Sequence, residues 1–117
     1  MNEAFKRALR RHVKLEEMRR EYRTLLRKFK EEVERSLGRE VKVMAFGSVV
    51  EGRGRPSSDV DVLVIDREFG KLETRLEIYA LARRVFGSVH PFELHLITPE
   101  EFENWYVKFI GKHEEIT

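Results

Sequence analysis

The chain of 117 residues contains no cysteine and no glutamine, and asparagine occurs only at Asn2 and Asn104. Without cysteine there is neither a disulfide nor a thiolate metal site, so redox chemistry does not distinguish one compartment from another. No apolar run approaches the roughly 20 residues of a membrane span, and the basic N-terminus lacks the apolar centre of a signal peptide. Both absences lead us to expect a soluble, cytoplasmic protein with no membrane partner. The scarcity of side-chain amides beside 38% charged residues fits a heat-stable protein, in which ion-pair networks replace thermolabile groups. The length supports one core, so residues 1–117 are expected to form a single domain.

What is present is unevenly charged. Residues 1–40 hold 13 Lys or Arg against 8 acids, net +5, whereas residues 41–117 hold 10 against 13, net −3. Residues 3–37 read as one basic amphipathic helix, capped by Asn2 and stopped by Gly38. Its apolar stripe runs through Phe5, Leu9, Val13, Met18, Tyr22, Leu25, Leu26, Phe29, Val33 and Leu37. A rod of that length would measure about 50 Å at ~1.5 Å per residue, beyond the width of a small domain. The first third is therefore expected to protrude, bend or pack on another chain, which makes a homo-oligomer through this helix one expectation. The basic face suits an acidic partner or a nucleic acid, and composition does not decide between them.

The remaining chain is organised around 43–65, VMAFGSVVEGRGRPSSDVDVLVI. An apolar strand, Val41 to Phe46, ends at Gly47-Ser48, and a second strand, Val60 to Ile65, begins just after Asp59. Gly47 sits where a turn needs positive φ or close backbone approach, and Ser48 offers a hydroxyl and an N–H to an anion such as phosphate. Side chains alternate along a strand, so Asp59 and Asp61 should share a side. Two acids at the head of an apolar strand need a cation, and a hard divalent metal with oxygen ligands fits best. Neither a P-loop nor a dinucleotide fingerprint is present, because Gly52-Arg53-Gly54 lacks the Lys-Ser/Thr, the third glycine and the following helix.

The pattern Gly-Ser, ten residues, Asp-x-Asp resembles the minimal nucleotidyltransferases of the DNA polymerase beta-like superfamily. The likeness extends to Gly52 and Arg53 in the loop, Ser58 before the acids and the aliphatic run after them. It implies an α/β (α+β) palm-like fold, a short mixed sheet with helices on one face, preceded here by the long N-terminal helix. It also implies nucleotidyl transfer dependent on two Mg²⁺ ions, with a nucleoside triphosphate (ATP) as substrate. Asp59, Asp61 and Glu93 would be the catalytic carboxylates and metal ligands, and Gly47, Ser48, Arg53 and Ser58 the nucleotide-binding residues. Related antitoxins transfer AMP to a tyrosine of a HEPN toxin, so a HEPN-type partner is the first expectation for the acceptor. Transfer to a small molecule, and a non-catalytic nucleotide- or partner-binding subunit, are the alternatives. Most members carry Asp where this chain has Glu93, and many carry Arg near Glu51.

Beyond the motif, Asp66 to Lys71 reads as a turn and Leu72 to Phe86 as an amphipathic helix burying Leu72, Leu76, Tyr79, Ala80, the Arg83 stem and Val85 or Phe86. Phe92 to Ile97 alternates as a third strand, with Phe92, Leu94 and Leu96 on one face and Glu93, His95 and Ile97 on the other. The crossover helix makes the second and third strands parallel, which brings Glu93 toward Asp59 and Asp61. His95 shares the face of Glu93, as a structural group, a metal ligand or a proton shuttle. Thr98-Pro99-Glu100-Glu101 reads as a capping box opening a last helix over 99–111, which leaves 41–98 as the catalytic core.

Overall fold

Asn2 begins the first helix as an N-cap, its side chain accepting a hydrogen bond from the Phe5 N–H at 2.8 Å. In the computed structural model, which describes residues 1–52 and 59–117, this helix (α1, Glu3–Arg20) gives way at Glu21 to a second (α2, Tyr22–Leu37). The single helix expected over 3–37 is thus two. Glu21 leaves the helical region at φ −96°, ψ 20°, yet its N–H still reaches the Glu17 carbonyl at 3.0 Å and its carbonyl accepts from Leu25 at 3.1 Å. With the ladder carried across the joint and neither Gly nor Pro present, the sequence bears no mark of it. Residues 1–14 are all exposed, so the leading part of α1 protrudes, and the molecule extends 51 Å along its longest axis.

Gly38, left-handed at φ 76°, ends α2 and turns the chain into β1 (Lys42–Phe46). β2 (Val60–Ile65) pairs antiparallel with β1, and β3 (Phe92–Ile97) pairs parallel with β2, with Asp61 opposite Glu93. A short strand, β4 (His113–Glu115), adds antiparallel to the other side of β1, giving the order β3-β2-β1-β4. Between β2 and β3 run a 3₁₀ turn (Arg67–Gly70) and α3 (Leu72–Phe86). This mixed α/β architecture is the one expected.

Strand alternation divides the chain's apolar residues between two faces. On one, Val43, Ala45, Val60, Val62, Val64, Phe92 and Leu96 are buried under Leu26, Phe29 and Val33 of α2 and Ile78, Leu81, Ala82 and Phe86 of α3. Phe29 and Phe86 meet at a 5.1 Å centroid separation, and Phe86 and Phe92 at 4.5 Å. Each fully buried Val or Phe there stabilises the fold by about 1.5–3 kcal/mol. One expectation about α3 fails. Leu72, Leu76, Tyr79, Ala80 and Arg83 are exposed; of the expected set Phe86 is buried, and it is joined by Ile78, Leu81 and Ala82. The helix carries two apolar stripes of similar spacing, and only docking against the sheet selects one.

The second face holds a smaller cluster, Met44, Leu63, Ile97 and Ile110, with Phe46, Ile65, Phe102 and Tyr106 packed against it. Helices are therefore not confined to one side of the sheet. Thr98 caps α4 (Pro99–Asn104) through the expected capping box, its Oγ1 accepting from the Glu101 N–H at 3.2 Å. The helix expected to reach Gly111 stops at Asn104, and a 3₁₀ turn (Tyr106–Lys108) follows. The chain then returns as β4, anchored where Arg23 of α2 donates to both carboxylate oxygens of Glu114, at 2.5 and 2.9 Å.

Candidate active site

The functional cluster forms at one end of the central strands, on the face not covered by α2 and α3. β2 places Asp61 and β3 places Glu93 and His95, because these positions have the parity opposite to Val60, Val62, Leu94 and Leu96. One ligating atom from each of Asp61, Glu93 and His95 falls within 4.8 Å of the others. His95 Nε2 lies 3.8 Å from Asp61 Oδ1 and 3.9 Å from Glu93 Oε1, too long for direct hydrogen bonds. The imidazole is itself held by aromatic contacts, with Phe46 at 5.8 Å and Tyr106 at 5.7 Å between centroids. Partial burial, and then the adjacent Glu93 carboxylate, push the Asp61 carboxyl above the ordinary aspartate range, with His95 opposing them.

Gly47 closes the site from the side of β1. It adopts φ 93°, and a Cβ built there would stand 2.5 Å from Asp61 Oδ2. Any side chain would thus meet both a strained backbone and the carboxylate itself, so glycine lets the turn pass directly against Asp61. Ser48 follows in a turn whose return is fixed by the Glu51 N–H bonding to the Gly47 carbonyl at 3.1 Å. Val49 and Val50 of that turn pack on the main core, tying the loop's first half to the sheet.

The other expected site residues are placed differently. Asp59 is exposed, one residue before β2 begins, and is not in the group formed by Asp61, Glu93 and His95. Its charge is felt instead by His90, which burial keeps below the usual histidine range and Asp59 partly restores. Strand alternation governs side chains only within the paired ladder, which starts with Val60 opposite Phe92. Arg53 and Ser58 lie outside the described residues. His95, for which the alternation left three roles open, belongs to the cluster. Tyr106 and Trp105 had no site attached to them in the sequence, because nothing local shows that the segment after β3 folds back over the sheet.

Two acids and an imidazole converging beside a glycine turn could hold a divalent metal ion, the carboxylates suiting a hard cation and the imidazole a borderline one. The sequence model of the family described as nucleotidyltransferase domain matches residues 26–116. The chain belongs to the nucleotidyltransferase domain family. The match begins inside α2, so α1 lies outside it. The nucleotidyltransferase fold recurs in two solved structures, both provisionally assigned as nucleotidyltransferases. One shares 27% identity with a TM-score of 0.65, over 79% of this chain and 97% of its own. The other, from Sulfolobus solfataricus, shares 16% identity with a TM-score of 0.56, over 92% of this chain and 84% of its own; at that identity it speaks for the fold alone. No protein of curated function matches this nucleotidyltransferase. No helix of the described residues is long and apolar enough to cross a membrane.

Proposed function

We propose that this nucleotidyltransferase moves AMP from ATP to a hydroxyl acceptor, the acceptor being a tyrosyl side chain of a HEPN-type partner protein. The observation that carries the transfer chemistry is the convergence of Asp61, Glu93 and His95 against the Gly47 turn. The donor set fits Mg²⁺: two carboxylates, one of them driven upward by burial and by the other, gain when a divalent cation relieves that pressure. Asp61 and Glu93 would be ligands within the cluster; Asp59, exposed at the strand mouth and outside that group, would have to turn toward them to complete the acidic set. When bound, a pair of Mg²⁺ ions supplies charge neutralisation at the attacking and leaving oxygens.

The chain's own residues do the rest. The Gly47-Ser48 turn receives the β- and γ-phosphates through backbone N–H and the serine hydroxyl, and glycine lets them lie beside Asp61. The acceptor hydroxyl oxygen attacks the α-phosphorus and forms the new O–P bond. The bond from that phosphorus to the oxygen bridging to the β-phosphate breaks, and pyrophosphate leaves with the electron pair. The hydroxyl proton passes to the Glu93 carboxylate. His95, flanked by Phe46 and Tyr106, stands beside both carboxylates, 3.8 Å from Asp61 Oδ1 and 3.9 Å from Glu93 Oε1.

The tyrosyl acceptor rests on the likeness of the Gly-Ser, Asp-x-Asp core to antitoxin-type minimal nucleotidyltransferases. The test is to incubate the protein with labelled ATP, Mg²⁺ and a HEPN-type partner, and to map the adduct by mass spectrometry. An AMP adduct on a partner tyrosine, lost with Asp61→Asn, is expected. Glu93→Ala should reduce transfer by at least about a hundredfold, the lower reach of a single general base, while MgATP binding changes little. An adduct formed at the parental rate by Glu93→Ala would remove Glu93 from the reaction.

A further inference from the structure

Beside the acid cluster the sheet's second face opens into a cleft of about 470 Å³, lined by Phe46, Asp61, His95, Glu101, Trp105, Tyr106, Phe109 and Ile110. Its floor comes from β1, β2 and β3, and its wall from α4 and the 3₁₀ turn after it. Trp105 and Phe109 at its lip are 64% and 74% exposed, an unusual outlay of large aromatic surface beside a reactive centre. The only formal charges in this lining, among the described residues, are the carboxylates of Asp61 and Glu101. Glu101 spends its Oε1 on the Thr98 N–H and hydroxyl, which leaves Oε2 as an acceptor.

We infer that this cleft takes the purine base of the nucleoside triphosphate, stacked against Trp105 with Tyr106 and Phe109 around it. The inference rests on the nucleotidyl-transfer reading of the adjacent acids. Attack and departure at the α-phosphorus lie on one line. With pyrophosphate at the Gly47 turn on β1 and the acceptor proton going to Glu93 on β3, that line runs across the strands through Asp61. The nucleoside is a non-reacting substituent of the phosphorus, so it must leave the line sideways. The cleft lies sideways, back along the sheet face from Asp61 and His95 toward Ile110. Its chemistry also matches the base and not the phosphates. Aromatic walls stack a flat ring, Glu101 Oε2 can accept from a ring or exocyclic N–H, and beyond Asp61, which the metal would occupy, the lining offers no lysine or arginine to a triphosphate. The volume falls in the range of small-ligand sites and exceeds the need of a single phenol ring.

Trp105 is the sole tryptophan, so its emission reports on the cleft directly. The experiment titrates the full chain with Mg²⁺ and ATP, GTP, CTP, UTP or inorganic triphosphate, following tryptophan emission and, separately, heat of binding. Quenching by ATP or GTP, weaker with CTP and UTP and absent with triphosphate, is expected. Trp105→Ala should lower purine nucleotide affinity by about tenfold, in line with the loss of one base-stacking platform, and leave triphosphate affinity unchanged. ATP binding with unchanged emission and an unaffected Trp105→Ala variant would place the base elsewhere, overturning the cleft assignment and sparing the nucleotidyltransferase reading. Quenching by a tyrosine-containing peptide, and not by ATP, would make the cleft the acceptor's and overturn the proposal as stated. Failure of both ATP and triphosphate to bind the parent with Mg²⁺ would sink the reading of the acids and the cleft together.

Discussion

β2 carries an aspartate at each end, and the two are treated in opposite ways. Asp66, just past its C-terminal end, is 7% exposed and fully engaged. Arg39 grips both carboxylate oxygens, Nε to Oδ1 at 2.9 Å and Nη2 to Oδ2, and the Glu68 N–H donates at 2.9 Å. Burial alone would raise this carboxyl, but the guanidinium and the N–H outweigh it and hold Asp66 below the usual range. Asp61, at the N-terminal end, is more exposed, and among the described residues His95 is its one ion-pair partner, at 3.8 Å. Its carboxyl is pushed up instead. Five residues apart on one strand, the first acid is satisfied by the fold and the second is left in want of a cation. That contrast is the one expected between an acid that holds the structure and the acid proposed above as a metal ligand.

The largest effect should come from breaking the satisfied end. Asp66→Asn leaves a buried Arg39 contact without its charge partner and should cost about 2 kcal/mol, less than a fully buried pair because Arg39 is partly solvated. Denaturant melts should also show a changed acid limb. Because the folded carboxyl is held below the ordinary value near 3.9, its contribution is complete above about pH 5 and is lost as pH falls through the folded value. The parent should therefore lose stability on acidification more steeply than Asp66→Asn. Equal slopes would mean that the Arg39 pair adds nothing to folding.

A smaller effect of opposite sign is expected at the other end. Asp61→Asn removes repulsion with Glu93 and should leave stability in metal-free buffer unchanged or raised by up to about 0.5 kcal/mol. The comparison sharpens with metal. Mg²⁺ at 100 times its Kd should stabilise the parent by about 2.7 kcal/mol and Asp61→Asn by much less. If the variant melts well below the parent without metal, Asp61 is as structural as Asp66 and the contrast collapses.

The smallest effect on folding belongs to the protruding end of α1. Removing residues 1–12 deletes exposed side chains, including Phe5 at 55% and Leu9 at 47%, and should change stability by less than about 0.5 kcal/mol. Self-association or partner binding should weaken instead, as sedimentation would show. A truncated chain that sediments and binds as the parent does would reduce this segment to a solvated extension.

The sequence showed most of the sheet because its signals there are local. Alternation through Phe92 to Ile97 sorted Glu93 and His95 from Phe92 and Leu96, and Gly47 stood where only glycine fits. What escaped it depends on neighbours distant in the chain. In α3 the stripe of Leu72, Leu76 and Tyr79 rivals that of Ile78, Ala82 and Phe86, and packing against the sheet, not the pattern, selects the second. His113-Glu114-Glu115 has no apolar residue to announce a strand; its pairing with β1 and the grip of Arg23 make it one. Asp59 looked equivalent to Asp61 by spacing, but the ladder that enforces alternation begins only at Val60.

The wall formed by α4 and its 3₁₀ turn is a short insert between two strands, β3 and β4. It covers the sheet without being part of it. Asp61, Glu93 and the Gly47 turn are set by strand pairing, whereas Trp105 and Phe109 hang from a segment secured by the Thr98–Glu101 cap and by Tyr106 and Ile110 against the sheet. Residues on the outer side of that insert can be exchanged without disturbing the catalytic register. If the cleft and the acids act as proposed, such a division makes the molecule evolvable in one respect and conservative in another: preference for a ligand would drift over a few surface positions while the acids stay locked in the hydrogen-bonded ladder beneath.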